Sequence, residues 1–128
     1  MSGIKIKGTG RFVPAKVITN DYLSTIVDTN DEWITSRTGI QTRFHCTTET
    51  HTDMCVNAAR QALENAGIKP EEIGACVVAT FSADYLSPSA GCMVQRGLGL
   101  PHDTVCFDLN AACSGFLYAI HTMAVSYT

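Results

Sequence analysis

Residues 104–120, "TVCFDLNAACSGFLYAI", decide the fold. The stretch opens with "TVCFDL" (104–109), a short apolar run broken by Asp108, of the kind a buried strand shows. From Phe116 the apolar residues return at helical spacing, with Leu117, Ile120, Met123 and Ala124 predicted on one face. Between the two patterns lie small residues, Ala111, Ala112, Cys113, Ser114 and Gly115, where a strand must turn into a helix. A buried strand feeding a helix is the repeating step of an α/β layered sheet, and the rest of the chain can be read against that step.

Upstream the same alternation recurs. Met54, Cys55, Ala58, Ala59, Ala62, Leu63 and Ala66 keep helical spacing, and Gly67 followed by Ile68 supplies a left-handed stop with its hydrophobic contact. Pro70, Glu71 and Glu72 predict a short helical turn, and "ACVVAT" (75–80) a second buried strand. Ser87 to Leu98 reads as a helix opening on Ser-Pro, with Ser87 as its N-cap, and closing at Gly99. Nearer the start, "IKIKGTG" (4–10) alternates like a first strand. "TNDYLSTIV" and "TNDEWITSRTG" each open on Thr-Asn-Asp, which is good N-cap chemistry for two short helices. The last helical pattern meets no Gly or Pro stop, as a chain that continues would read.

Composition narrows the function. The chain has 128 residues, 45% of them apolar and 16% charged, which suits one domain at most. A formal net charge of −3 with no basic run gives no footprint for nucleic acid. No signal-peptide pattern and no run of eighteen apolar residues occur, so the reading is cytosolic, with no membrane partner. Six cysteines (46, 55, 76, 92, 106 and 113) show no CxxC, which argues against a structural metal. Most read as small buried hydrophobes.

Cys113 differs from the other five by its place. A helix N-terminus carries unsatisfied N–H groups and partial positive charge, which favours a thiolate in the first turn. Small neighbours leave room for a substrate, and the Cys113 N–H can help hold an oxyanion. That makes Cys113 a candidate nucleophile for acyl transfer. Spacing alone leaves it equally readable as a small residue tolerated at a tight junction. Histidine, the usual base, is not supplied nearby: His121 lies eight residues further along the helix, about 12 Å up its axis, and His102 precedes the strand at its far end. His45 and His51 fall in a polar loop.

Trp33 and Arg37 are four apart, so they share a helix face on which an indole stacks on a purine and a guanidinium meets a base or phosphate. An ordinary amphipathic helix with a packed tryptophan explains the same spacing, and Asp31 and Glu32 suit the first turn of either. "GTG" at 8–10 lacks the further glycine of a dinucleotide fingerprint, since Val13 stands there.

Four stretches together carry a resemblance: "GTGRFVP" (8–14), "DTNDEWITSRTGI" (28–40), "ALENAGIKPEEIGACVVAT" (62–80) and "DLNAACSGFLYAI" (108–120). In this order and separation they resemble β-ketoacyl-acyl carrier protein synthase III, a thiolase-fold condensing enzyme. The resemblance covers residues 1–128 but only the first of that family's two similar halves. It implies a layered αβαβα architecture and decarboxylative condensation of an acyl-CoA primer with malonyl-acyl carrier protein through an acyl-Cys113 intermediate. It implies that Thr29, Trp33 and Arg37 hold the nucleotide end of CoA, that no cofactor or metal takes part, and that the whole enzyme is a homodimer. The histidine and asparagine completing the family's triad fall in the half this sequence does not resemble. Arg37 and Arg43 would add to a basic surface for the acidic carrier protein. At Ser87 the family often carries a bulky aromatic that shortens the acyl pocket, so serine implies longer or broader primers unless Tyr85 or Leu86 refills the space. Two other readings stay open: a related condensing enzyme of polyketide or quinolone metabolism, and a non-catalytic half that serves as a dimerisation or scaffolding subunit.

Overall fold

A computed structural model describes residues 4–126, which fall into two compact units: one of residues 13–49, the other joining the chain up to residue 12 with everything from residue 50 onward. The smaller unit contains a strand pair that the sequence reading missed. β1 (Lys16–Thr19) runs antiparallel to β2 (Thr42–His45), with Ile18 opposite Arg43. Four residues per strand, with Val17 and Phe44 left exposed, give too little alternation to register as a pattern. Both expected short helices form, α1 (Asn20–Ser24) and α2 (Asp31–Thr38). The Thr19 side chain accepts from the Tyr22 N–H and the Asn30 side chain from the Trp33 N–H, so each Thr-Asn-Asp does supply a cap, from different members of the triplet. Gly39 closes α2 at φ 69°, and Ile18 and Ile34 are the unit's buried aliphatic side chains.

In the larger unit α3 (His51–Ala66) starts on a Thr50–Asp53 capping box. It ends on Gly67 at φ 64°, with the Ile68 N–H donating back to Leu63 O at 3.1 Å. A single 3₁₀ turn, Pro70–Glu72, leads into β3 (Ala75–Ala79). β3 pairs in parallel with β4 (Val105–Leu109), placing Cys76 beside Cys106 and Val78 beside Asp108. α4 (Ala90–Leu98) makes the crossover between them. Val94 and Ala90 are buried, and α4 lies so close to the sheet that a Cβ on Gly91 would stand 3.0 Å from Phe107 N and O. α5 (Gly115–Ser126) follows β4 through a 3₁₀ turn, Ala112–Ser114.

Three expectations need correction. Residues 4–10 form no strand; they lie as irregular chain along α3, where Cβ atoms on Gly8 and Gly10 would overlap the backbone of Ala62 and Ala58. The Arg11 N–H donates to Gln61 Oε1 and the Asn65 amide to Thr9 O, so this segment satisfies its backbone on a helix rather than in a ladder. The helix expected from Ser87 begins at Ala90, and its N-cap is Ser89, whose hydroxyl accepts from the Cys92 N–H at 3.2 Å. Leu117 is left out of the apolar lining that Phe116, Ile120, Met123 and Ala124 share on α5, and it is as exposed as Phe116. Among the described residues no helix is long and apolar enough to cross a membrane, and no cluster of three metal-ligating side chains occurs.

Candidate active site

Cys113 sits where the sequence reading put it, in the turn between β4 and α5, and its side chain is exposed. The residue before it has an unusual backbone: Ala112 takes φ 43°, a left-handed conformation that L side chains avoid at a cost of about 1–2 kcal/mol. The Ser114 N–H reaches back to Ala111 O at 2.9 Å and closes the turn. Such strain is retained where surrounding structure overrides it, and it concentrates at working sites. Nothing in the sequence signals it, because the strained position is an alanine rather than a glycine.

The turn opens onto a cleft of about 1060 Å³. Cys55, Ala58 and Ala62 of α3 line one side, β3 the floor, and Phe116, Ile120 and Met123 of α5 the other side. Cys113 lies on this apolar lining, so a thioester's acyl chain placed there would lose water while its carbonyl met the sulfur. Ser87 does not line the cleft; it is exposed in the loop before α4, next to a fully exposed Leu86.

Three of the other thiols are shifted by their surroundings. Burial pushes the Cys76 thiol up to about 11, with smaller contributions from Cys106, Cys55 and the Asp108 carboxylate. Burial also raises Cys55, helped by Asp84 and Asp108, and burial raises Cys106. These three hold their protons where an ordinary thiol begins to lose its own. Cys55 touches the His51 ring at 3.8 Å, a pair one helical turn apart that the sequence reading did not single out. Among the described residues no hydrogen bond joins Cys113 to a histidine.

Two carboxylates anchor this framework. Asp108 of β4 accepts from the Ala90 and Gly91 N–H groups at 2.7 and 2.8 Å, fastening the start of α4 to the strand that leads to Cys113. Asp84 accepts from the His51 and Thr52 N–H groups and the Thr52 hydroxyl, and those bonds, the hydroxyl's first, hold its carboxyl below the usual range. The loop that carries Ser87 is thereby tied to the start of α3.

In the smaller unit Thr29, Trp33 and Arg37 come together on and just before α2. Trp33 is 51% exposed, and the Arg37 guanidinium carbon stands 4.5 Å from the centre of its ring. The packed tryptophan of the ordinary amphipathic reading is therefore not what forms. Thr29 Oγ1 is buried without a hydrogen-bond partner, a state native structures seldom leave unfilled. Arg43 is not turned outward: its guanidinium donates to Ile18 O at 3.4 Å and to Asn20 Oδ1 at 2.6 Å.

No family profile matches the chain. Individual proteins do. The chain is 49% identical over 122 residues to the β-ketoacyl-[acyl-carrier-protein] synthase III of Clostridium acetobutylicum, a match that covers 95% of this chain and 37% of that protein. It superposes on the 3-oxoacyl-[acyl-carrier-protein] synthase III of Aquifex aeolicus with a TM-score of 0.91 and 45% identity, over 94% of this chain and 39% of that one. The chain is homologous to the N-terminal part of β-ketoacyl-[acyl-carrier-protein] synthase III. The synthase III resemblance read from four stretches of sequence is thus borne out, and so is the thiolase-type α/β fold it implied. A second kind of relative is the priming β-ketosynthase of the R1128 polyketide pathway, at TM-score 0.87 and 36% identity over 92% of this chain and 35% of that one. The chain spans a little over a third of the length of the synthase III proteins it matches.

Proposed function

We propose that the protein is an acyltransferase of the synthase III type, with Cys113 as its acyl carrier. The Cys113 thiolate attacks the carbonyl of an acyl-CoA thioester, the C–S bond to CoA breaks, and CoA leaves as its thiolate, which takes a proton from water. Malonyl-acyl carrier protein then loses carbon dioxide, and the carbanion formed attacks the acyl-cysteine carbonyl. A new carbon–carbon bond forms, the β-ketoacyl product stays on the carrier, and the Cys113 thiolate is regenerated. The observation that carries this reading is the exposed Cys113 thiol beside the left-handed Ala112, on an apolar cleft of about 1060 Å³.

Thr29, Trp33 and Arg37 would take the nucleotide end of CoA, for which the half-exposed indole offers a stacking face and the Arg37 guanidinium beside it a positive charge. No metal or redox cofactor enters the chemistry. The working form is a cytosolic homodimer. Ser87 admits primers longer than acetyl, because neither it nor the solvent-facing Leu86 fills apolar space in this chain. Competition among acyl-CoAs of rising length checks this, and a sharp preference for acetyl-CoA contradicts it.

The decisive experiment uses the full-length protein. Iodoacetamide should label Cys113 first among the thiols of this chain, acyl-CoA should protect it, and Cys113→Ala should abolish condensation. Earlier labelling of Cys46, or turnover surviving in Cys113→Ala, would remove the assignment. A priming role in polyketide synthesis is the second reading, favoured by the 36% identity to the R1128 ketosynthase. Product analysis with each pathway's carrier protein separates the two.

A further inference from the structure

We propose that Asn20 is a positioning residue for nucleotide recognition, acting through α2; this deepens the CoA reading above and rests on it. Asn20 is only 2% exposed and is the largest fully buried side chain among the described residues. Its amide nitrogen donates to Asp31 Oδ1 at 2.7 Å and to Ile40 O at 2.8 Å, with a longer contact of 3.3 Å to Thr35 Oγ1. Its amide oxygen accepts from Arg43 at 2.6 Å. One side chain therefore grips the first residue of α2 and the backbone just past its Gly39 stop, while Arg43 braces it from β2.

Helix geometry says what this grip controls. At 100° per residue, Trp33 lies about 200° around the axis from Asp31, and Arg37 the same angle from Thr35. Asp31 and Thr35 face Asn20, so Trp33 and Arg37 are held on the opposite face, the one assigned to the nucleotide. α2 has only eight residues and one buried side chain, Ile34, so the tether acts with Ile34 to set its roll. A roll of 20° about the axis would carry the indole about 2 Å, enough to spoil a stacked contact.

The test compares an acyl-CoA with the corresponding acyl-pantetheine, which lacks the nucleotide, on full-length protein. Asn20→Asp removes the donor, sets a second carboxylate against Asp31, and keeps the acceptor for Arg43. We expect KM for the CoA thioester to rise about tenfold, the size of one lost charged hydrogen bond. kcat and the KM for acyl-pantetheine should stay unchanged. The exchange variant Asn20→Asp with Asp31→Asn restores a donor–acceptor pair and should recover most of the CoA preference. If Asn20→Asp does not fold, Arg43→Lys loosens the brace alone and should raise KM for CoA thioester selectively, about threefold. An equal rise for both thioesters, or no change, overturns the proposal while the CoA reading stands. A wild-type enzyme indifferent to the nucleotide overturns both.

Discussion

Replacing Asp108 by asparagine should loosen the framework around the candidate nucleophile, and the size of the effect follows from two bonds. The Asp108 carboxylate receives the Ala90 and Gly91 N–H groups at 2.7 and 2.8 Å, distances typical of charge-assisted pairs. Both donors are in the first turn of α4, both residues are buried, and neither N–H has a partner within the helix. Asparagine keeps one acceptor and turns an N–H₂ group toward the other donor. One bond falls from charged to neutral strength, and one buried N–H is left unmet. Together with the lost favourable charge at a helix start, these sum to about 3 kcal/mol. With a urea slope of 2–3 kcal/mol/M, the midpoint of full-length protein should drop by about 1–1.5 M at unchanged slope. Ser89→Ala, which removes the cap to the Cys92 N–H and the hydroxyl's weak bond to Cys92 Sγ, is the internal standard at about 1 kcal/mol. An Asp108→Asn midpoint no lower than that of Ser89→Ala would refute the reasoning, since the two N–H groups would then be satisfied without the carboxylate.

Three further outcomes follow from the same unit. At pH 8 a thiol held near 11 is about a hundredfold less ionised than one at the ordinary value of 9.0, so Cys76 should react with iodoacetamide at least that much more slowly in the folded protein than in urea. Comparable rates in the two conditions would contradict it. Because the folded state keeps a proton on Cys76 that the unfolded chain loses, stability should fall as pH rises from about 9 towards about 11, as an alkaline series of urea midpoints will show. Gly10→Ala would drive a Cβ onto the backbone of Ala58, 2.0 Å from its carbonyl oxygen, and overpacking of this kind costs about 1–3 kcal/mol. Gly74→Ala meets nothing within 4 Å and should be near neutral; equal midpoints for the two variants would show that residues 8–10 do not lie on α3.

Local signals made much of this protein legible. α3 carries its own amphipathic stripe, capping box and left-handed stop, and β3 and β4 are short apolar runs, the second broken only by Asp108, so each declares itself within a few residues. Cys113 stood out for the same reason: a strand pattern ends and a helix pattern begins around it. The residues 4–10 failed the same test. Alternation says that a segment can be a strand, while pairing depends on what lies beside it, and here two glycines fit it against a helix instead.

The amino-acid sequence by itself determined which segments are helices, where most of them stop, which cysteine occupies the strand–helix junction, and the kinship with synthase III. Tertiary structure alone decided that Asp108 holds α4, that Arg43 turns inward, that Asn20 bonds to the chain at both ends of α2, and that Ala112 is strained. The division has a physical cause. Caps and hydrophobic periods act over three or four residues, so they are written in order along the chain. A buried amide or carboxylate is specified by hydrogen-bond partners 11 to 23 residues away for Asn20 and 17 or 18 for Asp108, and only the folded chain brings them within 3 Å.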